Sequence, residues 1–357
     1  MGICSCELQP TYVDADMDIA RNFDCFCNIL EEEYSFNNIG VEEWIQLKSG
    51  FRKRALVAQN DSLLFELLKE LTDSLKDGHL ALGSQYGAYQ CMTWRKGRRE
   101  DFQDSLIRYV LPQPQYIGKT TLFGLIPDTD IAYLRYPSFS KIFTEDNYRR
   151  LDAVFSRADG IIIDIRSNYG GNVLLAEKMA SHFYSAKTLI GYNTFCAAIE
   201  GETKTFPCEI SPSDRYRWAD IPVVILIDGC TFSAANYFVL CMKQNPCVVT
   251  MGCHTGGGAG FPVTRELPNG WLFSFPKGDT LDLFGKSIDS GIAPDHNVHL
   301  DPSIAVQSRD NIIESACKYL ETVYLNRSAG SALRKSSALI PPSPITSATI
   351  FPLLSST

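Results

Sequence analysis

IPVVILIDGCTFSAAN, residues 221–236, joins an apolar run to small and hydroxyl residues, with a serine standing where a helix should begin. Val223 to Ile227 is branched and wholly apolar, as expected of a strand buried on both faces of a parallel sheet. Asp228-Gly229 is turn chemistry, and Ser233-Ala234-Ala235 opens a helical segment running to about Met242. A hydroxyl at that junction lies beside unpaired backbone N–H groups and the positive end of the helix dipole, which favour the oxyanion of acyl transfer. Helix capping is the competing reading of Ser233.

DGIIIDIRSNYGGN, residues 159–172, repeats the plan: a short buried strand from Ile161 to Ile165, a polar glycine-rich turn, then a helix. Two strand-to-helix turns can therefore meet. Gly170 and Gly171 carry no Cβ, so backbone can approach a ligand closely and N–H groups can converge on an anion, although an ordinary turn would use the same residues. In LKDGHLAL, residues 75–82, His79 falls just past a helix whose Leu64, Leu68, Leu71 and Leu75 share one face. Gly78 allows a sharp exit there, and a cap or a partly buried polar residue is the plain alternative for the histidine.

Taken together, these segments closely resemble the tail-specific, or C-terminal processing, protease family (peptidase family S41), serine peptidases whose relatives include the tricorn protease core. The resemblance spans roughly residues 15–300. Its landmarks occur in family order: Asp77-Gly78-His79, then DIRSNYGG at 164–171, then TFSAAN at 231–236, and finally GIAPD at 291–295, similar to a closing G-I-x-P-D turn. The resemblance implies a crotonase-like (ClpP/crotonase) ββα superhelix, an α/β fold, with Ser233 as nucleophile. It also implies that Ala234 supplies one oxyanion N–H and Gly170 or Gly171 the other.

The chain departs from the commonest family pattern where the general-base lysine would stand, because that position is Gly258 in the run GCHTGGGAG, residues 252–260. A Ser-Lys dyad has no lysine there. The tricorn-like branch instead takes a histidine from the D-G-H-type segment, supported by an acid just before the closing turn. This implies His79 as the base for Ser233, with an acid holding the imidazole tautomer. Asp289, two residues before Gly291, is the first candidate for that acid and Asp295 the second. Family members often carry Glu one position earlier, where this chain has Ile288. His254, in the glycine-rich loop, remains a competitor as a substrate-binding residue or base, whereas His182, His296 and His299 read as surface or core residues.

No metal or nucleotide site emerges. The close cysteine pairs Cys4/Cys6 and Cys25/Cys27 lack a second pair at zinc-finger spacing, and Gly256-Gly257-Gly258 is not followed by the Gly-Lys-Ser/Thr of a phosphate-binding loop. No cofactor is expected. A net charge of -8 argues against a nucleic-acid surface, and the basic cluster Arg95, Lys96, Arg98 and Arg99 reads as a solvated loop. The expected partners are polypeptide substrates, with a homo-oligomer left open.

With 357 residues, 45% of them hydrophobic and 21% charged, the chain can bury a large core in one or two domains. Residues 1–76 read as an N-terminal helical subdomain, with Phe23, Phe26, Leu30 and Tyr34 at helical spacing. Residues 77–130 read as connecting strands and loops carrying His79, without an evident PDZ domain. Residues 131–325 alternate strands and helices as the catalytic core, with Leu272 to Phe275 a late strand and Asn311 to Leu325 a terminal helix. Residues 326–357 read as a Ser/Pro-rich disordered tail in which Ile350 to Leu354 could dock. Neither a secretory signal nor a membrane-length apolar run is visible, so the default location is cytoplasmic with reduced thiols. Cys4 and Cys6 are the candidate palmitate acceptors; Gly2 lacks the Ser or Thr of a myristoylation motif, Cys6 standing there.

Overall fold

The computed structural model describes residues 15–35, 39–196 and 203–337. The expectations for Gly2, Cys4 and Cys6, and for Ile350 to Leu354, fall outside those residues. The chain begins with helices α1 (Ala15–Glu33), α2 (Val41–Ala55) and α3 (Asp61–Ser74), the hairpin β1 (Ala81–Ser84) and β2 (Gly87–Gln90), and α4 (Asp104–Val110). Strands β3 (Gln115–Ile117), β4 (Thr121–Leu125) and β5 (Ile131–Arg135) lead to α5 (Glu145–Phe155), β6 (Gly160–Asp164) and α6 (Val173–Ser181). A long hairpin, β7 (Thr188–Cys196) and β8 (Thr203–Ile210), precedes β9 (Val223–Ile227), α7 (Ala234–Met242) and β10 (Val248–Gly252). Last come β11 (Phe261–Glu266), β12 (Leu272–Lys277), β13 (Asp279–Leu281), β14 (His296–Asn297), α8 (Pro302–Ala305) and α9 (Asn311–Ser337).

The central sheet has the order β14-β10-β9-β6-β5-β4-β3, parallel from β14 to β5 and antiparallel beyond. Every residue of β6 and β9 is buried, which is why these two strands are apolar on both faces. One face packs against α5, α6 and α7 through Leu151, Phe155, Met179 and Phe238. The other packs against α9 through Ile312, Ala316 and Leu320. Helix α9 continues to Ser337, so residues 326–337, expected to be disordered, prolong it. A buried ion cluster underlies the sheet's end: the fully buried guanidinium of Arg166 faces Asp164 and Asp310. Burial alone would raise Asp164, but Arg166 and Arg135 outweigh it and hold its carboxyl below the ordinary value.

The boundary expected at residue 76 does not separate two bodies. Strands β11 and β12 leave the central sheet and join β1 and β2 in a four-stranded sheet, order β11-β12-β1-β2. Helices α1 to α3 cover that sheet, burying Phe23, Phe26, Leu68 and Leu71 against Trp271, Phe273 and Phe275 in a single cluster. Leu272 to Phe275 is therefore a strand, as expected, but of this second sheet. Glu33, at the end of α1, pairs with Arg265 at 2.6 Å and Lys277 at 2.9 Å, fixing the helices to the hairpin. No described helix is long and apolar enough to cross a membrane.

Candidate active site

At the carboxyl end of the central sheet the turns after β6 and β9 are laced together. Asp228 accepts hydrogen bonds from the Ser167 N–H at 2.9 Å and the Cys230 N–H at 3.0 Å, while Thr231 Oγ1 donates to the Ile165 carbonyl at 3.0 Å. The Phe232 N–H donates to the Asn168 carbonyl at 2.9 Å. These bonds fix Ser233 in a backbone conformation that L-residues seldom adopt, φ 55° and ψ -123°. Such a conformation costs about 1–3 kcal/mol and persists only where its surroundings enforce it. Ser233 precedes α7 but its side chain caps nothing. Instead its Oγ lies 2.9 Å from His79 Nε2. The capping alternative therefore fails, and the strain has a counterpart in the direction of the hydroxyl.

Of the two glycines named for the oxyanion hole, only one keeps its amide open. The Gly170 N–H donates to Asn168 Oδ1 at 2.9 Å. Neither Gly171 nor Ala234 has a described backbone partner for its N–H. Gly170 is needed for space: at its φ of 98°, a Cβ would lie 2.8 Å from Ser233 Cβ and 2.9 Å from the Ala234 nitrogen. The absence of that atom lets the second turn close onto the first.

His79 reaches Ser233 from the other layer. Helix α3 is ended by Lys76 at φ 53°, so the left-handed exit falls there and not on Gly78 as the sequence suggests. Gly78 answers a packing need, since a Cβ would sit 2.6 Å from two ring atoms of Trp94 and 2.8 Å from Phe232 Cζ. The imidazole, 8% exposed, lies against the Phe232 ring with centroids 4.9 Å apart, and Phe232 stacks on Trp94 at 4.0 Å. Gly258 closes the pocket: its Cβ would be 2.5 Å from Phe232 Cε2 and 3.0 Å from His79 Cε1. The imidazole edge thus fills the space that a side chain at position 258 would need.

The acids are arranged differently from expectation. Asp289 is 7% exposed, and its Oδ1 accepts from the Ala259 N–H at 2.8 Å. It forms no ion pair with His79 within 4 Å, although the imidazole is near enough for its charge to act on the carboxylate. Burial, and then the negative charge of Asp77, push its carboxyl up to about 6. The carboxylate beside the imidazole is Asp77, with Oδ1 3.5 Å from His79 Nδ1. Asp77 opens the Asp77-Gly78-His79 segment, in which the local sequence points only to the histidine. Asp295 is not at the site, because it bridges Lys243 at 2.7 Å and the Thr250 N–H at 2.8 Å to tie α7 to β10.

His254 is exposed beside the closing turn, its Nδ1 3.2 Å from the Thr255 carbonyl, and has no described contact with Ser233. His182 is buried between Tyr148 and Trp218, and burial lowers its pKa. His296 lies in β14, and His299 contacts Asp101 at 3.3 Å. The basic loop packs closer to the site than a solvated loop would: the Arg95 guanidinium lies 4.7 Å from the Tyr169 ring centre and that of Arg98 5.8 Å from Trp94. Among the described residues, Asp101, Cys253 and His299 form the one group with metal-ligand atoms close together. Arg99, the Leu300 N–H and His299 contact both Asp101 oxygens, and burial pushes the Cys253 thiol up to about 12.

A serine on a strained strand-to-helix turn, an imidazole at its hydroxyl and two open amides nearby define a serine-type hydrolase on an α/β scaffold. Residues 130–298 match the family model described as Peptidase family S41. A candidate peptidase from Parabacteroides merdae, known as a crystal structure, is 31% identical, with a TM-score of 0.76 over 86% of this chain and 97% of that one. The chain belongs to peptidase family S41, a family of serine-type peptidases. The carboxy-terminal processing protease CtpA of Bacillus subtilis (strain 168) is 24% identical over 151 residues, 42% of this chain. The matched region spans 31% of that curated relative's length. Mature CPAF, solved in complex with lactacystin, is 13% identical with a TM-score of 0.60, covering 87% of this chain and 98% of that one, and shares the fold.

Proposed function

We propose that this chain is a serine endopeptidase that hydrolyses unfolded or extended polypeptides through an acyl-enzyme on Ser233, with His79 as general base in the tricorn-like manner. The observation that carries the reading is the 2.9 Å contact between Ser233 Oγ and His79 Nε2. The hydroxyl proton passes to Nε2 as Oγ bonds to the scissile carbonyl carbon, and the oxyanion accepts from the Ala234 and Gly171 N–H groups. Collapse breaks the C–N bond, the leaving amine takes the proton from Nε2, and water repeats the sequence on the ester. A positioned base contributes about 10²–10⁴-fold and each oxyanion donor about 10²–10³-fold. Ser233 is half-buried, so an extended backbone reaches it more readily than a folded surface.

The test is labelling of the full chain with a fluorophosphonate, coupled to digestion of an unfolded protein such as reduced casein. Labelling and digestion should be lost in Ser233→Ala and His79→Ala, and only weakened in His254→Ala. A folded wild-type protein that neither labels nor digests would overturn the reading in favour of a peptide-binding homologue, and a reversed histidine result would move the base to His254.

A further inference from the structure

Three observations around His79 converge on a residue outside the expected triad. First, the imidazole Nδ1 is buried and has no hydrogen-bond partner. A general base using Nε2 must carry its other proton on Nδ1, and a buried N–H without an acceptor is costly. Second, the carboxylate that pairs with that atom is Asp77, with Oδ1 at 3.5 Å, while Asp289 makes no ion pair with His79 and its Oδ1 is engaged by the Ala259 N–H. Third, Asp77 is itself held on both sides: Oδ1 accepts the His79 backbone N–H at 2.8 Å, and Oδ2 accepts the hydroxyl of the buried Tyr34 at 2.9 Å.

We infer that Asp77, and not Asp289, is the positioning carboxylate for His79, and that Tyr34 at the end of the first helix fixes Asp77 in place. The inference rests on the peptidase reading above. A movement of about half an ångström brings Nδ1 within hydrogen-bond range of Oδ1, and such bonds are often long before substrate arrives. The short link from residue 77 to residue 79 supplies the geometry: one oxygen of Asp77 binds the backbone of the residue whose side chain it faces. Tyr34 is anchored in turn, because the preceding Glu33 is clamped by Arg265 and Lys277 from the β11–β12 hairpin. The chain of contacts Tyr34–Asp77–His79–Ser233 makes the N-terminal helices part of the hydrolytic apparatus. Burial keeps the Tyr34 phenol protonated, as its donor role requires.

The test uses Asp77→Asn, Tyr34→Phe and Asp289→Asn in the full chain, with two readouts: the rate of Ser233 acylation by a fluorophosphonate across pH, and the ¹⁵N NMR signals of the His79 ring nitrogens, which report which of them carries the proton. Asn at 77 still accepts the His79 N–H, so the turn keeps its bond while the charge is removed. Asp77→Asn should slow acylation by about 10²–10³-fold and move the ring-nitrogen signals away from the Nδ1-protonated tautomer. Tyr34→Phe should act in the same direction by about 3–10-fold, and decides the matter if Asp77→Asn fails to fold. Asp289→Asn should change acylation by less than about tenfold. A larger effect of Asp289→Asn on both readouts, with Asp77→Asn near wild type, overturns the inference. Retained acylation in His79→Ala would instead overturn the base assignment itself, so the two failures are distinguishable.

Discussion

Gly258 offers the sharpest test of how the imidazole is seated. An alanine Cβ at this position would lie 2.5 and 2.6 Å from two atoms of the Phe232 ring and 3.0 Å from His79 Cε1, on a backbone with φ 82°. Left-handed backbone costs an L-residue about 1–2 kcal/mol. Overpacking of this kind costs a further 1–3 kcal/mol or so, giving about 2–5 kcal/mol in all. Phe232 cannot retreat, because Trp94 is stacked behind it at 4.0 Å. The rings must therefore slide, carrying His79 with them by close to 1 Å, a misplacement worth about 10²-fold in rate. Gly258→Ala should slow fluorophosphonate acylation by about that factor and lower the melting temperature by several degrees. Gly258→Lys should be worse on both counts and should not create a Ser-Lys dyad, since the lysine's route to Ser233 is occupied by the imidazole. Wild-type acylation and melting in Gly258→Ala would refute the packing argument.

Two further outcomes concern buried charge. Asp289 has a folded-state pKa of about 6 against an ordinary value of 3.8, so between those values the native state holds more protons than the unfolded one and stability falls as pH rises. The group should remove about 3 kcal/mol across that window, and urea titrations from pH 4 to 7 should show that loss largely abolished in Asp289→Asn. Arg166→Met leaves the buried carboxylate of Asp310 without its cation and Asp164 with only Arg135, 3.9 Å away, and should cost about 3–5 kcal/mol in urea denaturation. A loss below about 1 kcal/mol would mean that the cluster is not sustained by the guanidinium.

The strands and the serine at the strand-to-helix turn were legible because their causes are local. Val223 to Ile227 and Ile161 to Ile165 are apolar because both faces are covered, and the small residues after them are needed where two turns close on each other. His79 came forward from the resemblance to the tricorn-like branch once a glycine stood where the lysine would be, and Gly258 now has a physical reason beyond that absence. What the sequence concealed depends on contacts between distant residues. Asp289 looked like the orienting acid because it lies two residues before Gly291, yet the Ala259 amide, 30 positions upstream, holds its carboxylate. Gly170 and Gly171 are indistinguishable as letters, and only the Asn168 side chain decides which amide stays open. The β7–β8 hairpin leaves little mark in the sequence because exposed residues dominate β8, where no apolar alternation runs.

The same reasoning explains why a division at residue 76 cannot be a functional one. Leu82 pairs with Phe273, nearly two hundred residues away, and the sheet so formed is buried by helices that precede both strands. Long-range pairing of this kind leaves no trace in local periodicity, since each strand looks the same whichever partner it has. Its consequence is positional: the sheet and helices fix the segment from Asp77 to His79 from one side, while β9 and the glycine-rich loop fix Ser233 and Gly258 from the other. The 2.9 Å contact between imidazole and hydroxyl is therefore made at a seam, and its length is set by how the two layers pack, not by either strand-to-helix turn alone.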